Sequence, residues 1–416
     1  MIRIRTFLAN SLCADAVKIH KAYRFQLRTD ACVERTLAQY VGCCRFVYNR
    51  GLELQKQRFE SGSKRLNYSG LCKELTQWRH DGETAFLKEA PSQALQQSLK
   101  DLERAYQNFF SGRTGLPRFK KRGRQDSFRF PEPKQFRVDE RNCRIFLPKL
   151  GWLRYRKSRS LKGRLLHVTV SRSVGKWYLS IQTEQDSEID TREREGAVGL
   201  DLGVVNFATL SDGTKIEPVN CYRRKQKKLA REQRRLARKQ KYGANWKKQA
   251  SRVRVLHKKI ADSRRDFLHK TSTGICKKHA MLVIEDLNVK GMSSSASGSR
   301  ENPGRNVKAK AGLNKAILDQ GWSEFRRQLE YKMEWSGGTL ITVPARNTSL
   351  SCFGCGHVSR ENRIDQARFK CTACGHSENA DLNAARNILA AGLAVIACGE
   401  ISVGNLREAG THRRSA

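Results

Sequence analysis

The sequence predicts a multidomain α/β protein. Three features carry that reading: strand-like runs of alternating polarity on either side of a helical stretch in the first half, apolar strands interleaved with helical patterns in the second, and a cysteine segment between the last strand and the last helix. A chain of 416 residues also exceeds what one ordinary core accommodates, so two or three domains are expected. The hydrophobic share of 38% is low, yet apolar runs recur along the whole chain. A folded body with a very polar surface is implied, not a disordered chain.

Residues 18–27, KIHKAYRFQL, set Ile19, Tyr23, Phe25 and Leu27 among basic residues in strand fashion. Thr29 or Asp30 then caps a helix running through Val33, Leu37, Val41, Phe46 and Val47 to about Arg58, and a second helical stretch begins after Pro91 with Ser92 as its cap. Residues 28–112 are therefore expected to form a small helical domain inserted after a lone first strand. Residues 1–27 and 113–190 form a β domain, with strands in 143–156 and 165–185 and a hairpin at Val174-Gly175. Its leading passage is rich in glycine and basic residues, and Phe119, Lys120, Lys121, Arg122 and Arg124 suit phosphate contact with ring stacking beside it.

A linker, DSEIDTREREG, leads to AVGLDLGVVNFATLSDG, read as a buried strand, a tight glycine turn and short strands. Residues 191–348 and 379–396 are expected to form one domain around this strand and the apolar strand AMLVIEDLNV. Between the two strands, residues 221–270 read as an antiparallel helical pair broken at KYGAN. Their charge is nearly one-signed, so Arg223, Arg224, Lys227, Lys228, Arg231, Arg234, Arg235 and Arg238 are candidates for tracking phosphates. A polar loop, SSSASGSRENPGRN, precedes a helix at about 313–336, the strand GTLITVPA, the cysteine segment at 349–378 and a closing helix from 380 to about 394. Residues 397–416 read as a disordered tail. No internal repeat is visible.

The charge narrows the partners. Lys plus Arg number 81 against 40 Asp plus Glu, a net +41. Self-repulsion of that size calls for a polyanion, most commonly nucleic acid, although a ribosomal or histone-like role fits the charge equally well. No run of about 18 apolar residues is seen to cross a bilayer, and the N-terminus lacks a signal core, so a soluble, cytoplasmic protein with no membrane partner is expected. Thirteen cysteines, an odd number, point to free thiols plus a metal site, with Cys32, Cys43, Cys44 and Cys276 as small core residues.

Cys352, Cys355, Cys371 and Cys374 give C-x2-C-x15-C-x2-C, with Gly356 and Gly375 after each pair. This spacing suits a closed tetrahedral thiolate site for one structural Zn2+. The acids require a separate argument. Asp201 and Glu285 each end an apolar strand, and Asp381 begins a helix. Carboxylates avoid such positions unless paired or metal-bound, and three converging ones would hold one or two Mg2+ ions for phosphodiester hydrolysis. Each has an alternative taken alone: GLDLG also fits a sugar-kinase-like phosphate loop, and Asp381 could be only an N-cap. Strand alternation should turn Asp286 away from the face that holds Glu285.

The ordered landmarks KAYRFQL, GCCRFVYN, GLPRFKK, VGLDLGVVNFATLSDG, LVIEDLNVKGM, TSLSCFGCG and FKCTACG through ADLNAARNI resemble those of the TnpB family of transposon-encoded, RNA-guided DNA nucleases, over residues 18–390. The resemblance implies an RNase H-like (RuvC) nuclease domain whose metal-binding carboxylates match Asp201, Glu285 and Asp381. It implies a zinc-ribbon target-nucleic-acid-binding insert at Cys352–Cys374, a β-barrel-like wedge domain and an α-helical recognition domain. The implied partners are a guide RNA and target double-stranded DNA, with one protein per RNA and a short flanking DNA motif read by the protein. Tyr68, Gln93, Phe119, Lys120 and Lys121 are candidates for that reading. Two other classes fit the same residues: a non-catalytic nucleic-acid-binding regulator and a DNA strand-transferase.

Overall fold

The computed structural model describes residues 17–187 and 194–397. The N-terminal extension, residues 188–193 of the linker and the tail from 398 lie outside these. The chain divides into two compact units, the first ending at Ser187.

The first unit opens with β1 (Val17–Leu27), then α1 (Ala31–Glu60), α2 (Tyr68–His80) and α3 (Ser92–Phe110). Asp30 is the cap of α1, its side chain accepting the Val33 N–H at 2.8 Å. At α3 the expectation of a Ser92 cap is corrected. Pro91 occupies the cap position without a side-chain bond and Ser92 is the first helical residue. The sequence pattern does not single out α2, whose buried stripe is only Leu71 and Leu75.

Six further strands complete the unit: β2 (Ser127–Phe130), β3 (Arg137–Asp139), β4 (Arg144–Leu147), β5 (Gly151–Arg156), β6 (Arg164–Ser173) and β7 (Lys176–Ser187). They join β1 in one antiparallel sheet of order β2-β6-β7-β1-β5-β4-β3. The β6–β7 turn is the expected Val174-Gly175, both with positive φ, which matches the twist of the two strands. One face of this sheet, bearing Phe25, Tyr155, Leu179 and Ile181, shares a single core with Leu37, Val47, Leu95 and Leu99 of the helices. Cys43 and Cys44 lie in that core, but Cys32 is exposed in the first turn of α1, against the expectation.

The second unit is built on β8 (Glu195–Asp201), β9 (Ala208–Leu210), β10 (Lys215–Ile216), α4 (Cys221–Ala237), α5 (Ala244–Lys278) and β11 (His279–Glu285). It continues through the short α6 (Val289–Met292), α7 (Val307–Gln320), α8 (Trp322–Trp335), β12 (Thr339–Val343), the small hairpin β13 (Arg368–Lys370) and β14 (Ser377–Asn379), and α9 (Ala380–Ala397). The single helix expected at 313–336 is two helices. Gly321, at φ +75°, takes the left-handed conformation that ends α7 and starts α8.

The sheet order is β10-β9-β8-β11-β12, with β8, β11 and β12 parallel and β9 and β10 antiparallel to their neighbours. Period-two alternation assigns its faces. Leu200, Leu282 and Ile284 pack with Leu268, Ile275, Phe325 and Leu329 of α5 and α8, while Val283, Ile341 and Val343 pack with Ile388 of α9. Helix α9 is long and apolar enough, by length and composition, to span a bilayer, so the expectation that no such run exists is corrected. One face of it lies against β8, β9, β11 and β12, a third of the helix being buried, and it carries Asp381 and Arg386.

Small residues let α9 lie this close. A Cβ added at Gly199 would stand 2.2 Å from the Ala385 carbonyl oxygen and 2.7 Å from the Leu389 nitrogen, and one at Gly392 would stand 2.5 Å from both Val283 methyls. Gly199→Ala should therefore destabilise the protein by about 3 kcal/mol or more, since backbone and not a movable side chain must give way. Denaturant unfolding checks this. A loss below about 1 kcal/mol would mean that α9 can move off the sheet.

Candidate metal centre

The register of the parallel strands brings two of the acids together. Leu200 lies opposite Ile284, so Asp201 and Glu285 end neighbouring strands at their carboxyl ends, where open parallel sheets bind ligands. Both share the face of Gly199 and Val283, the side covered by α9. Asp381 enters from that side, in the first turn of α9 and not at its cap. Asp286 falls on the opposite side of the strand, as alternation requires, and bonds Arg326 of α8.

Burial and the neighbouring carboxylates act together on Asp201. Burial, then the Glu285 and Asp381 charges, push Asp201 from 3.8 up to about 7, against a smaller opposing pull from Arg363. Burial also raises Glu285, while the Thr348 hydroxyl, which donates to its Oε1, pulls it back. Asp381 accepts from Asn206 Nδ2 at 3.0 Å and has Arg363 Nη2 at 4.0 Å. The arrangement is an all-oxygen donor set whose negative charge is only partly offset by protein groups. That suits a hard divalent cation.

The four cysteines cluster with their sulfurs all within 4.8 Å of one another, a closeness the three carboxylates do not reach. The Cys352–Cys374 and Cys355–Cys371 sulfur separations are 3.7 and 3.6 Å. A tetrahedron with metal–sulfur bonds of about 2.3 Å has edges of about 3.8 Å, so the cluster can hold zinc. Each pair closes on its glycine. Gly356 N–H donates to the Cys352 backbone carbonyl and Gly375 N–H to that of Cys371, at 2.9 and 3.1 Å, both glycines at positive φ.

Asparagines tie this ribbon together and to α9. Asn362, fully buried, donates to the Leu350 and His357 carbonyls and accepts from Thr372 N–H, joining the two knuckles. Asn383 donates to Ser351 O at 2.8 Å and accepts from Phe353 N–H at 2.9 Å; Asn387, one turn on, donates to Thr348 O and Ser351 O at 2.9 and 2.7 Å. The helix that presents Asp381 thus also fixes Thr348, the partner of Glu285. Sequence reasoning missed Asn206, Thr348, Arg363, Asn383 and Asn387. The i, i+4 asparagines in ADLNAARN were the only visible signal.

The basic candidates divide. Arg223, Arg224, Lys227, Lys228, Arg231, Arg234, Arg235 and Arg238 are all exposed along α4, as are Phe119, Lys121, Arg122 and Arg124 in the first unit. Lys120 is turned inward, its ammonium over the Tyr48 ring at 4.1 Å and 3.8 Å from Asp101, with its backbone N–H held by Asn49. Tyr68 and Gln93 are half-buried.

Family models match three segments: an OrfB/IS605 probable transposase at residues 180–296, a Cas12f1-like TNB domain at 322–388 and a helix-turn-helix domain at 19–64. The last segment folds here as strand β1 and the single helix α1. The chain is 54% identical to the putative RNA-guided DNA endonuclease InsQ of Escherichia coli (strain K12), over 92% of this chain and 94% of that one. It is 36% identical to a putative RNA-guided DNA endonuclease of Streptomyces pristinaespiralis, over 91% and 90%. The Cas12f1–sgRNA–target DNA complex shares the fold at a TM-score of 0.53 and 15% identity, over 89% of this chain and 98% of that one.

The crowding of Asp201 has a measurable sign. Its folded value of about 7 lies above the unfolded 3.8, so the folded state holds the proton and its advantage is lost as pH rises through 7. Asp201→Asn, with no charge to bury, should be more stable than wild type at about pH 8 without divalent cations, by roughly 4 kcal/mol at most, with the gap closing below about pH 4. Thermal unfolding at both pH values tests it; equal stability at the higher pH would remove the crowding.

Proposed function

The chain belongs to the TnpB family of RNA-guided DNA endonucleases, and we propose that Asp201, Glu285 and Asp381 hold one or two Mg2+ ions at the phosphodiester it cuts. The observation that carries this assignment is the meeting of three carboxylates from three distant points of the sequence on one face of a parallel strand pair. The strand order, with β8 central and the acids at its end and that of β11, supports the RNase H-like, RuvC-type reading of this unit.

The division of labour follows from the side chains. Bound divalent ions would activate a water and stabilise the leaving oxygen. Asp201 and Glu285 offer oxygens from rigid strand ends, Asp381 from a helix clamped by the zinc ribbon, and Asn206 and Thr348 fix the rotamers of Asp381 and Glu285. Arg363 offsets part of their charge. Cys352, Cys355, Cys371 and Cys374 hold one Zn2+ with no open position, so that ion shapes the site and takes no part in chemistry. In the first unit the sheet acts as the wedge and α1 to α3 as the recognition part, gripping guide RNA and the flanking DNA motif. The exposed cations of α4 follow phosphates.

Asp201→Ala should reduce cleavage of guide-matched DNA to background while RNA binding stays at the wild-type level; undiminished cutting would overturn the assignment. Thr348→Val should raise the Mg2+ needed for half-maximal cleavage roughly 10-fold, with Thr348→Ser close to wild type. A Mg2+ titration reads this, and an unchanged midpoint in the valine variant would remove Thr348 from the site.

A further inference from the structure

The face of the first unit's sheet opposite its core carries aromatic rings interleaved with arginines. Leu153 and Tyr155 of β5 point into the core, so Trp152, Arg154 and Arg156 point out, and Trp152 is 45% exposed. Across the ladder Phe146 of β4 lies opposite Trp152, the ring centroids 5.7 Å apart and the planes at 65°. The Arg144 guanidinium sits over Trp152 at 4.6 Å. Further along the same face, Arg24 of β1 sits over Tyr178 of β7 at 4.1 Å. Arg144 lies opposite Arg154, and Arg137 of β3 opposite Phe146. Asp139 on β3 is already bonded to Arg144 and Asn142.

We propose that this outer sheet face, centred on Trp152 and Phe146, is a stacking platform for unpaired bases of the guide RNA, with the flanking arginines on its phosphates. The proposal rests on the RNA-guided reading above and adds the site. Paired bases present only their edges, so rings fixed on a sheet can stack only on bases that have left a duplex. A folded RNA offers such bases in loops and bulges before any target is bound, whereas target DNA arrives as a duplex and yields an unpaired strand only after the guide has displaced it. The arginines supply the charge complement, and strands hold rings more rigidly than loops do. A ring already under a guanidinium is oriented before the base arrives.

The test uses the full chain and the RNA that co-purifies with it, sequenced and retranscribed. Phe146→Ala/Trp152→Ala should weaken binding of that RNA roughly 5- to 100-fold at fixed salt without changing the salt slope. Arg154→Ala/Arg156→Ala should instead flatten the slope by about 1.5 to 2. Iodouridine-substituted RNA should crosslink to the wild-type protein at Trp152, a readout that does not depend on a variant folding, and Trp152→Phe should bind nearly as wild type does. Wild-type affinity in the double alanine variant, crosslinks confined to other residues, equal binding of single-stranded DNA of the same sequence, or a dimer lost on Trp152→Ala would each overturn the platform. Failure of the wild-type chain to carry any defined RNA would instead overturn the reading on which it rests.

Discussion

The second unit depends on one close approach, that of helix α9 to the backbone of β8 at Gly199. A helix ordinarily stands off a sheet by the thickness of two side-chain layers. Here the Ala385 carbonyl occupies the space a Cβ would need, and Gly392 repeats the arrangement against Val283. Two residues beyond Gly199 comes Asp201, and the first turn of α9 holds Asp381. The glycine thus sets how far the third carboxylate stands from the other two. The cost appears in the electrostatics: three acids share a half-buried site, and Asp201 titrates near neutrality as a result. A site that is unfavourable for charge without a cation is favourable for one with it.

The cysteine ribbon is braced from within and against α9. Four sulfurs at tetrahedral spacing fix two knuckles, Asn362 locks one to the other, and Asn383 and Asn387 dock the assembly on α9. The same segment supplies Thr348 to Glu285 and Arg363 to Asp381. Ribbon and carboxylates therefore form one connected polar network, held together by the amides of these three asparagines. Loss of the thiolate site would loosen side chains in contact with two of the three acids, which explains why the cysteine pair and Asp381 are neighbours in sequence.

Much of this was legible from residue patterns. The strand ends at Asp201 and Glu285, the spacing of the four cysteines, the opposed faces of Glu285 and Asp286 and the turn at Val174-Gly175 all follow from local rules of alternation and spacing, which a linear sequence displays directly. The misreadings have local causes too. Ser92 resembles a cap because caps are recognised by residue type, yet a proline ahead of it takes the position. The pattern across 313–336 stays helical through Gly321, since a single glycine does not disturb apolar periodicity. Lys120 reads as one more cation in a basic run until Asp101 and Tyr48 turn it inward.

Residue identity and spacing were enough to say which side chains could bind metal, because paired cysteines and acids at the ends of apolar strands are chemical statements written in consecutive residues. The excess of lysine and arginine pointed in the same direct way to a polyanionic partner. Which acids meet, which neutral side chains hold them and which aromatic rings stay in solvent emerged from the folded arrangement alone. Those outcomes depend on parallel register, on a helix lying against a glycine and on which face of a strand finds a core. None of these is a property of any stretch of chain taken in isolation.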